Sequence, residues 1–401
     1  MPKFISSNVS MLLVLRRRVG WFLDGNLSPR RLANAALAMT EYAAGRDKLM
    51  SMPPILKIDI SPACNLRCVS CLHADKRFFD DSNEVMNDQY LSGKQQMSVE
   101  RYKQIIDQVR GKSSAVSLYY YGDPLVHRDL DEICRITADA GLNSHISTNF
   151  SFKLSDERIE SIVRSGLTHL TVCVDGLSQE NYGQTRVGGR IAWVLDNLER
   201  LCKARERLKQ TFPRVEVQYI KFQHNLHEFE EAQRRFKELG VDQVTTFWGN
   251  LHNPTATASE TAEIYGSLPD KTFPRCMWPW TYMLVKFNGD VIPCCNHRVT
   301  SQYRKSEDVD PRILGNVFET SVKEVWNDAR YRAARRLAAK PSRLKGEADL
   351  EKSFCYACPA LFDTSKMVGA RSASEHAITD VHPQLLTLRK RSVATPAPGD
   401  G

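Results

Sequence analysis

Cys64-Asn-Leu-Arg-Cys68-Val-Ser-Cys71 is the densest concentration of metal-ligating side chains in the chain. Three thiolates on one tight loop hold three irons of a cubane cluster and leave its fourth iron without a protein ligand. An open metal position of this kind binds and activates a substrate or cofactor. The rival reading is zinc, which wants a fourth nearby Cys or His, and His73 is the candidate. A second set, Cys276, Cys294, Cys355 and Cys358, offers four thiolates. Four thiolates ligate a [4Fe–4S] cluster completely, with structural zinc again the alternative. Cys295 is left over beside that set, either as an inert buried thiol or close enough to the metal to act in chemistry. Cys134 and Cys202 fit apolar helix faces, and Cys173 reads as a small core residue unless its strand turns it inward.

The rest of the composition narrows the function classes. Eleven cysteines would mean disulfides in a secreted protein, but the N-terminus makes a poor export signal. Its apolar run Met11–Leu15 precedes Arg16-Arg17-Arg18 instead of following positive charge. A cytoplasmic location and metal-binding thiols are therefore expected. The run continues into Val19, Trp21, Phe22 and Leu23, an amphipathic pattern expected to pack on the protein's own body and not on a membrane surface. No apolar stretch approaches the ~20 residues of a membrane span. The net charge of +8 sits in local runs, with no basic, aromatic-interleaved stripe, so nucleic acid is not an expected partner.

Those cysteines must be held by a scaffold, and residues 55 to 249 supply one. Ile55–Ile60, Val116–Tyr121, Ser144–Thr148, His169–Val174, Val215–Lys221 and Val241–Trp248 read as strands. Helical periodicities separate them: Val99, Tyr102, Ile105, Ile106 and Val109 form one face, and Ile191 to Cys202 another. Ser155 is a plausible N-cap for a third helix, and Gly240 a helix stop after Leu239. Strands alternating with helices predict a parallel sheet. Six units do not close an eight-stranded barrel, so the expected fold class is α/β, a partial (β/α)6 barrel with ligands at the carboxyl ends of its strands. His73–Gln96 reads as an inserted loop. Asn288-Gly289-Asp290 turns a predicted hairpin, Tyr282–Phe287 and Val291–Pro293, and Ser321 with Glu324 forms a capping box.

The C-x3-C-x2-C loop directly after a first strand resembles the signature of the radical S-adenosylmethionine superfamily. The resemblance implies that Cys64, Cys68 and Cys71 hold a radical [4Fe–4S] cluster whose unique iron chelates S-adenosylmethionine. Reductive cleavage then gives a 5′-deoxyadenosyl radical that takes hydrogen from substrate. Tyr121-Gly122-Asp123-Pro124 resembles the family's glycine–acid–proline motif at the methionine amino group, although Gly-Asp-Pro is also ordinary turn chemistry. Ser147-Thr148-Asn149 resembles its polar contact to the ribose and carboxylate. Val174-Asp175-Gly176 with Arg186 resembles a motif of members with a C-terminal cluster domain. It suggests a cofactor or substrate contact for Asp175 or Arg186, or else a buried ion pair. One departure is Ser70, where the family usually has a large or aromatic residue.

The second set resembles the twitch domain, a shortened relative of the SPASM domain. No cysteine follows Cys358, so one auxiliary [4Fe–4S] cluster is expected. Composition and resemblance together divide the chain into an N-terminal helical extension (1–52), the radical core (53–250), a linker (251–275), the auxiliary-cluster unit (276–365) and a C-terminal extension with a disordered tail (366–401). It implies a small-molecule substrate and an electron donor such as flavodoxin or ferredoxin. The cysteine layout resembles that of aminocyclitol dehydrogenases, so oxidation of a sugar or aminocyclitol to a ketone is expected. The alternatives are epimerisation with Cys295 as hydrogen donor, modification of a ribosomally made peptide, and a non-catalytic metal-binding module.

Overall fold

The computed structural model describes residues 28–69, 71, 95–248, 267–294, 313–356, 358 and 360–362. The Met11–Leu23 run, Ser70, His73, Cys295, nearly all of the expected inserted loop, the first part of the expected linker and the C-terminal tail lie outside the described residues.

Six strands alternate with helices: β1 (Ile55–Ile58), β2 (Ala115–Ser117), β3 (Asn143–Thr148), β4 (His169–Cys173), β5 (Arg214–Lys221) and β6 (Gln243–Trp248). Each pairs in parallel with the next, which is the expected partial barrel. Seven helices are needed to follow its packing: α1 (Pro29–Ala43), α2 (Val99–Val109), α3 (Leu130–Asp139), α4 (Asp156–Arg164), α5 (Gln179–Thr185), α6 (Ile191–Arg207) and α7 (Phe229–Glu238). Helix α2 begins where the Ser98 hydroxyl accepts from the Arg101 N–H (3.3 Å), and it buries Tyr102, Ile105, Ile106 and Val109, one stripe of a 3.6-residue period. Ser155 caps α4 as expected. β2 is shorter than the predicted Val116–Tyr121. Its continuation leaves the ladder and bends so that the Asp123 N–H reaches the Ala63 carbonyl (2.8 Å).

The later part of the chain joins the same sheet. β7 (Tyr282–Val285) pairs in parallel with the free edge of β1, and β8 (Val291–Ile292) pairs antiparallel with β7. The result is one eight-stranded sheet, ordered β6-β5-β4-β3-β2-β1-β7-β8. The hairpin is the predicted one, and Gly289 supplies the left-handed turn residue (φ +90°). Covering the β1 edge satisfies its outward N–H and C=O groups, an unpaired row that invites aggregation.

Helix α1, the described part of the N-terminal extension, packs on the protein's own body. Arg31 donates to the Ala140 and Gly141 carbonyls at the end of α3, and the Tyr42 hydroxyl donates to Pro274 O (2.9 Å). Two short helices, α8 (Trp278–Thr281) and α9 (Val322–Trp326), precede α10 (Ala329–Ala339). α9 carries the predicted Ser321/Glu324 capping box. Arg335 of α10 is fully buried, stacked on Trp326 and Tyr331 and donating to the Asp47 and Pro279 carbonyls. Part of the expected linker is bound down as well: Ser267 bridges to Phe362, and the Arg275 N–H donates to Ala338 O.

The two faces of the sheet differ. Leu56, Val116, Ile146, Leu170, Val172 and Val217 are wholly buried in the main core. Residues of the opposite parity point to the concave face, because successive side chains of a strand alternate. At the amino end of that face Ile55, Ala115 and Tyr282 form a separate apolar plug with Trp278. Above the plug the inward positions turn polar: Lys57, Ser117, His145, Thr171, Glu216 and Thr245.

Candidate active site and cluster-binding residues

The Cys64–Cys71 loop leaves β1 at the carboxyl end of the sheet, and three chain segments grip it. From one side the Arg67 and Val69 N–H groups donate to the Val187 and Thr185 carbonyls (3.0 and 3.1 Å). From another, Gly122 packs so closely that a Cβ there would lie 2.2 Å from both the Ser61 and Ala63 carbonyl oxygens. This glycine is required by backbone approach, beyond the needs of a turn. From the third, Asn65 inside the cysteine motif donates to Ser151 O (2.8 Å) and accepts from the Asn149 amide (2.9 Å).

The polar motifs converge on this loop. Asp123 is almost fully buried and its carboxylate accepts from the Thr148 hydroxyl (2.8 Å), the Asn149 N–H (2.7 Å) and the Asn149 side-chain amide (2.7 Å). Burial pushes its pKa up to about 6 against the pull of these donors. The carboxylate thus pins the end of β3. Pro124 opens the single turn that follows, capped by the Asp123 carboxylate through Leu125 N–H (3.0 Å). The Asn149 amide also lies 3.8 Å from the Cys64 sulfur.

Asp175 and Arg186 form a buried ion pair with 2.6 Å between Oδ2 and Nε. The other carboxylate oxygen accepts from the Ile220 N–H (3.1 Å). The far side of the guanidinium reaches the Cys68 sulfur, Nη1 at 3.9 Å. The pair is therefore both an ion pair and a contact to the cysteine loop. Ser147 lies apart from this group, with its hydroxyl 3.5 Å from the Cys173 sulfur. Cys173 itself is not the core residue its sequence suggests. It is half-buried on the concave face, between Ser147 and the Gln218 amide oxygen (3.8 Å).

The donor chemistry fits an iron–sulfur cluster. Burial pushes the Cys64 thiol well up, and the Cys68 thiol up to about 11 although Arg186 pulls it down. Buried thiols gathered on one loop ionise only with a cation to share. The Tyr182 hydroxyl of α5 is buried with no hydrogen-bond partner among the described residues, in electrostatic range of Cys68 and Arg186. It is a donor waiting for an acceptor, such as the sulfur of a bound cluster. Among the described residues no three His, Cys, Asp or Glu side chains draw close enough for a single metal ion. A cubane spreads its cysteines over separate irons.

The second set is brought together from three places: Cys276 before α8, Cys294 after β8, and Cys355 and Cys358 on a turn closed by Cys358 N–H to Cys355 O (3.3 Å). Cys355 is buried within electrostatic range of the other three, and burial pushes its thiol far up. Two buried thiols in the hydrophobic core with two half-buried ones packed against it fit a fully ligated cluster. Cys134 and Cys202 are buried on helices, as expected.

Sequence reasoning passed over Asn65, treated as spacing between cysteines, and Tyr182. It also missed the inward-facing polar residues. Their signal was present as period-two alternation in His169-Leu-Thr-Val-Cys173 and Glu216-Val-Gln-Tyr219, unusual for parallel strands, which normally bury both faces.

A partial parallel barrel with a three-cysteine loop at its carboxyl end and a second, four-cysteine group defines an iron–sulfur enzyme of the S-adenosylmethionine-cleaving class. Residues 58–232 form a radical SAM domain, matching the profile of that superfamily. The SPASM profile, an iron–sulfur cluster-binding domain, matches residues 276–359. The protein accordingly binds a radical [4Fe–4S] cluster, auxiliary iron–sulfur chemistry and S-adenosylmethionine. An AdoMet-dependent heme synthase of Methanosarcina barkeri is 23% identical over 78% of this chain and 93% of its own length. A tungsten-containing aldehyde ferredoxin oxidoreductase cofactor-modifying protein of Pyrococcus furiosus is 24% identical over 69% of this chain and 81% of its own. The fold matches that of Streptococcus suis SuiB, solved with its precursor peptide SuiA, with a TM-score of 0.53 and 16% identity over 76% of this chain and 71% of that one. No described helix is long and apolar enough to cross a membrane.

Proposed function

We propose that this protein is a radical S-adenosylmethionine oxidoreductase acting on a polar small molecule, a sugar or aminocyclitol, and oxidising one of its alcohol carbons to a ketone. The observation that carries the reading is the polar concave face. His145 Nε2 meets the Thr171 hydroxyl (2.9 Å), Cys173 sits between Ser147 and Gln218, and the Thr245 hydroxyl donates to Glu216. Such a surface offers hydrogen bonds to hydroxyls and amines and little apolar area to a greasy ligand.

In this reading Cys64, Cys68 and Cys71 would hold the radical cluster, and Cys276, Cys294, Cys355 and Cys358 the auxiliary one. When bound, the first cluster supplies the electron that splits S-adenosylmethionine, and the second can accept an electron from the substrate. The chain's own work is positional. Asp175 orients Arg186 toward the cysteine loop, Asp123 locks Thr148 and Asn149 at the strand end, and the inner face orients the substrate's hydroxyls. Epimerisation is the second reading. Cys173, a thiol already facing the chamber, favours it as a hydrogen donor, alongside Cys295 beyond the described residues.

The test is anaerobic turnover of the holoenzyme with sugars and aminocyclitols, following 5′-deoxyadenosine and substrate mass. Loss of two hydrogens marks the ketone. A mass unchanged in ordinary water, with one deuterium gained in heavy water, marks epimerisation. A panel in which only a peptide is altered would sink both.

A further inference from the structure

Resting on that reading, we propose that Lys57 is the anion-receiving residue of the chamber and that the substrate carries a carboxylate or phosphate. Lys57 is the middle of β1, the strand that delivers the cysteine loop. It faces the concave side, level with Ser117 of β2 and Leu284 of β7. It is partly buried, with its ammonium 4.0 Å above the Tyr119 ring. That ring in turn meets His145 edge-on (5.1 Å between centroids).

An ammonium sheltered from water ordinarily finds a carboxylate, because an unpaired charge costs free energy there. Among the described residues Lys57 has no carboxylate within ion-pair distance. The other charged groups on this side are engaged elsewhere or wholly buried. Glu216, four strands away, accepts from Thr245. Asp59 and Lys286 are wholly buried, each directly after the last register pair of the two strands, Ile58 with Val285. An aromatic face holds a cation in place without neutralising it, so the Lys57 N–H groups remain available to an incoming anion. A structural role alone is poorly served by this arrangement, since an apolar residue would fill the site at lower cost.

The first test needs no known substrate. The holoenzyme with S-adenosylmethionine is treated with acetic anhydride, and acetylation of Lys57 is compared with that of exposed Lys103 by peptide mass spectrometry. Inorganic phosphate or methylphosphonate is expected to protect Lys57 and not Lys103, while chloride at equal ionic strength protects neither. Equal modification with and without phosphate overturns the proposal. So does a Lys57 that the reagent never reaches, because a substrate anion would not reach it either.

The second test is turnover with glucose 6-phosphate, glucuronate, glucose and inositol. An anionic compound is expected to raise 5′-deoxyadenosine formation. Which of the first two works distinguishes phosphate from carboxylate. Lys57→Gln is expected to raise its KM by about 10- to 100-fold, the loss of one charge-assisted hydrogen bond, with Lys57→Arg restoring most of it. Turnover of only glucose or inositol, unchanged in Lys57→Gln, overturns the anion proposal and leaves the small-molecule reading standing. Turnover of a peptide alone overturns both.

Discussion

Arg186 bridges two parts of the site: one edge of its guanidinium is paired with Asp175, and the other lies 3.9 Å from the Cys68 sulfur. Asp175 fixes the direction of the cation, and burial of the pair keeps water from screening it. A positive charge beside a cluster thiolate stabilises the more negative, reduced state. Arg186→Gln is therefore expected to lower the midpoint potential of the first cluster by on the order of tens of millivolts, with iron content retained. An EPR-monitored redox titration checks this, and an unchanged potential would remove any electronic role for the contact.

The two cysteine sets are expected to separate by mutation. Cys68→Ala is expected to abolish 5′-deoxyadenosine formation, because the proposed set of three thiolate ligands loses one member. Cys355→Ala leaves some abortive cleavage of S-adenosylmethionine while ending product formation. Full turnover in the second variant would deny the auxiliary set a redox role.

Gly122→Ala places a methyl group against two carbonyl oxygens at 2.2 Å. No rotamer relieves a clash with backbone, so the loop before Cys64 must shift, at a cost of about 3 kcal/mol or more. Reduced iron per chain after reconstitution and a lower Tm are the expected readouts.

His127 gives the site an acid limit. Its Nδ1 accepts from the Asp129 N–H (3.1 Å), so Nε2 carries the proton it donates to Met97 O (2.9 Å). Burial holds this imidazole below its ordinary value of 6.5. A group whose folded pKa is depressed stabilises the fold above its unfolded value and loses that contribution as pH falls through the folded one. Stability is thus expected to decline as pH falls below about 6.5. His127→Gln is expected to flatten that slope in pH-dependent thermal unfolding of the anaerobic protein.

Much of the molecule was written locally. Cysteine spacing singled out both candidate thiol sets, because ligation chemistry depends on residue type and short-range spacing. The strand–helix alternation specified a parallel partial barrel, because periodicity reports which face is buried. Ser155, Gly240, Gly289 and the Ser321/Glu324 box each acted where their local chemistry placed them.

Other features required distant segments to meet. The edge of β1 receives β7, more than 220 residues later, which no local pattern announces. Asp123 was legible as a motif, but its commitment to Thr148 and Asn149 depends on β2 and β3 lying side by side. Cys173 became a chamber residue, and Lys57 a cation over an aromatic ring, only through inter-strand register. Register sets which face a side chain occupies, and neighbouring strands set what it meets there.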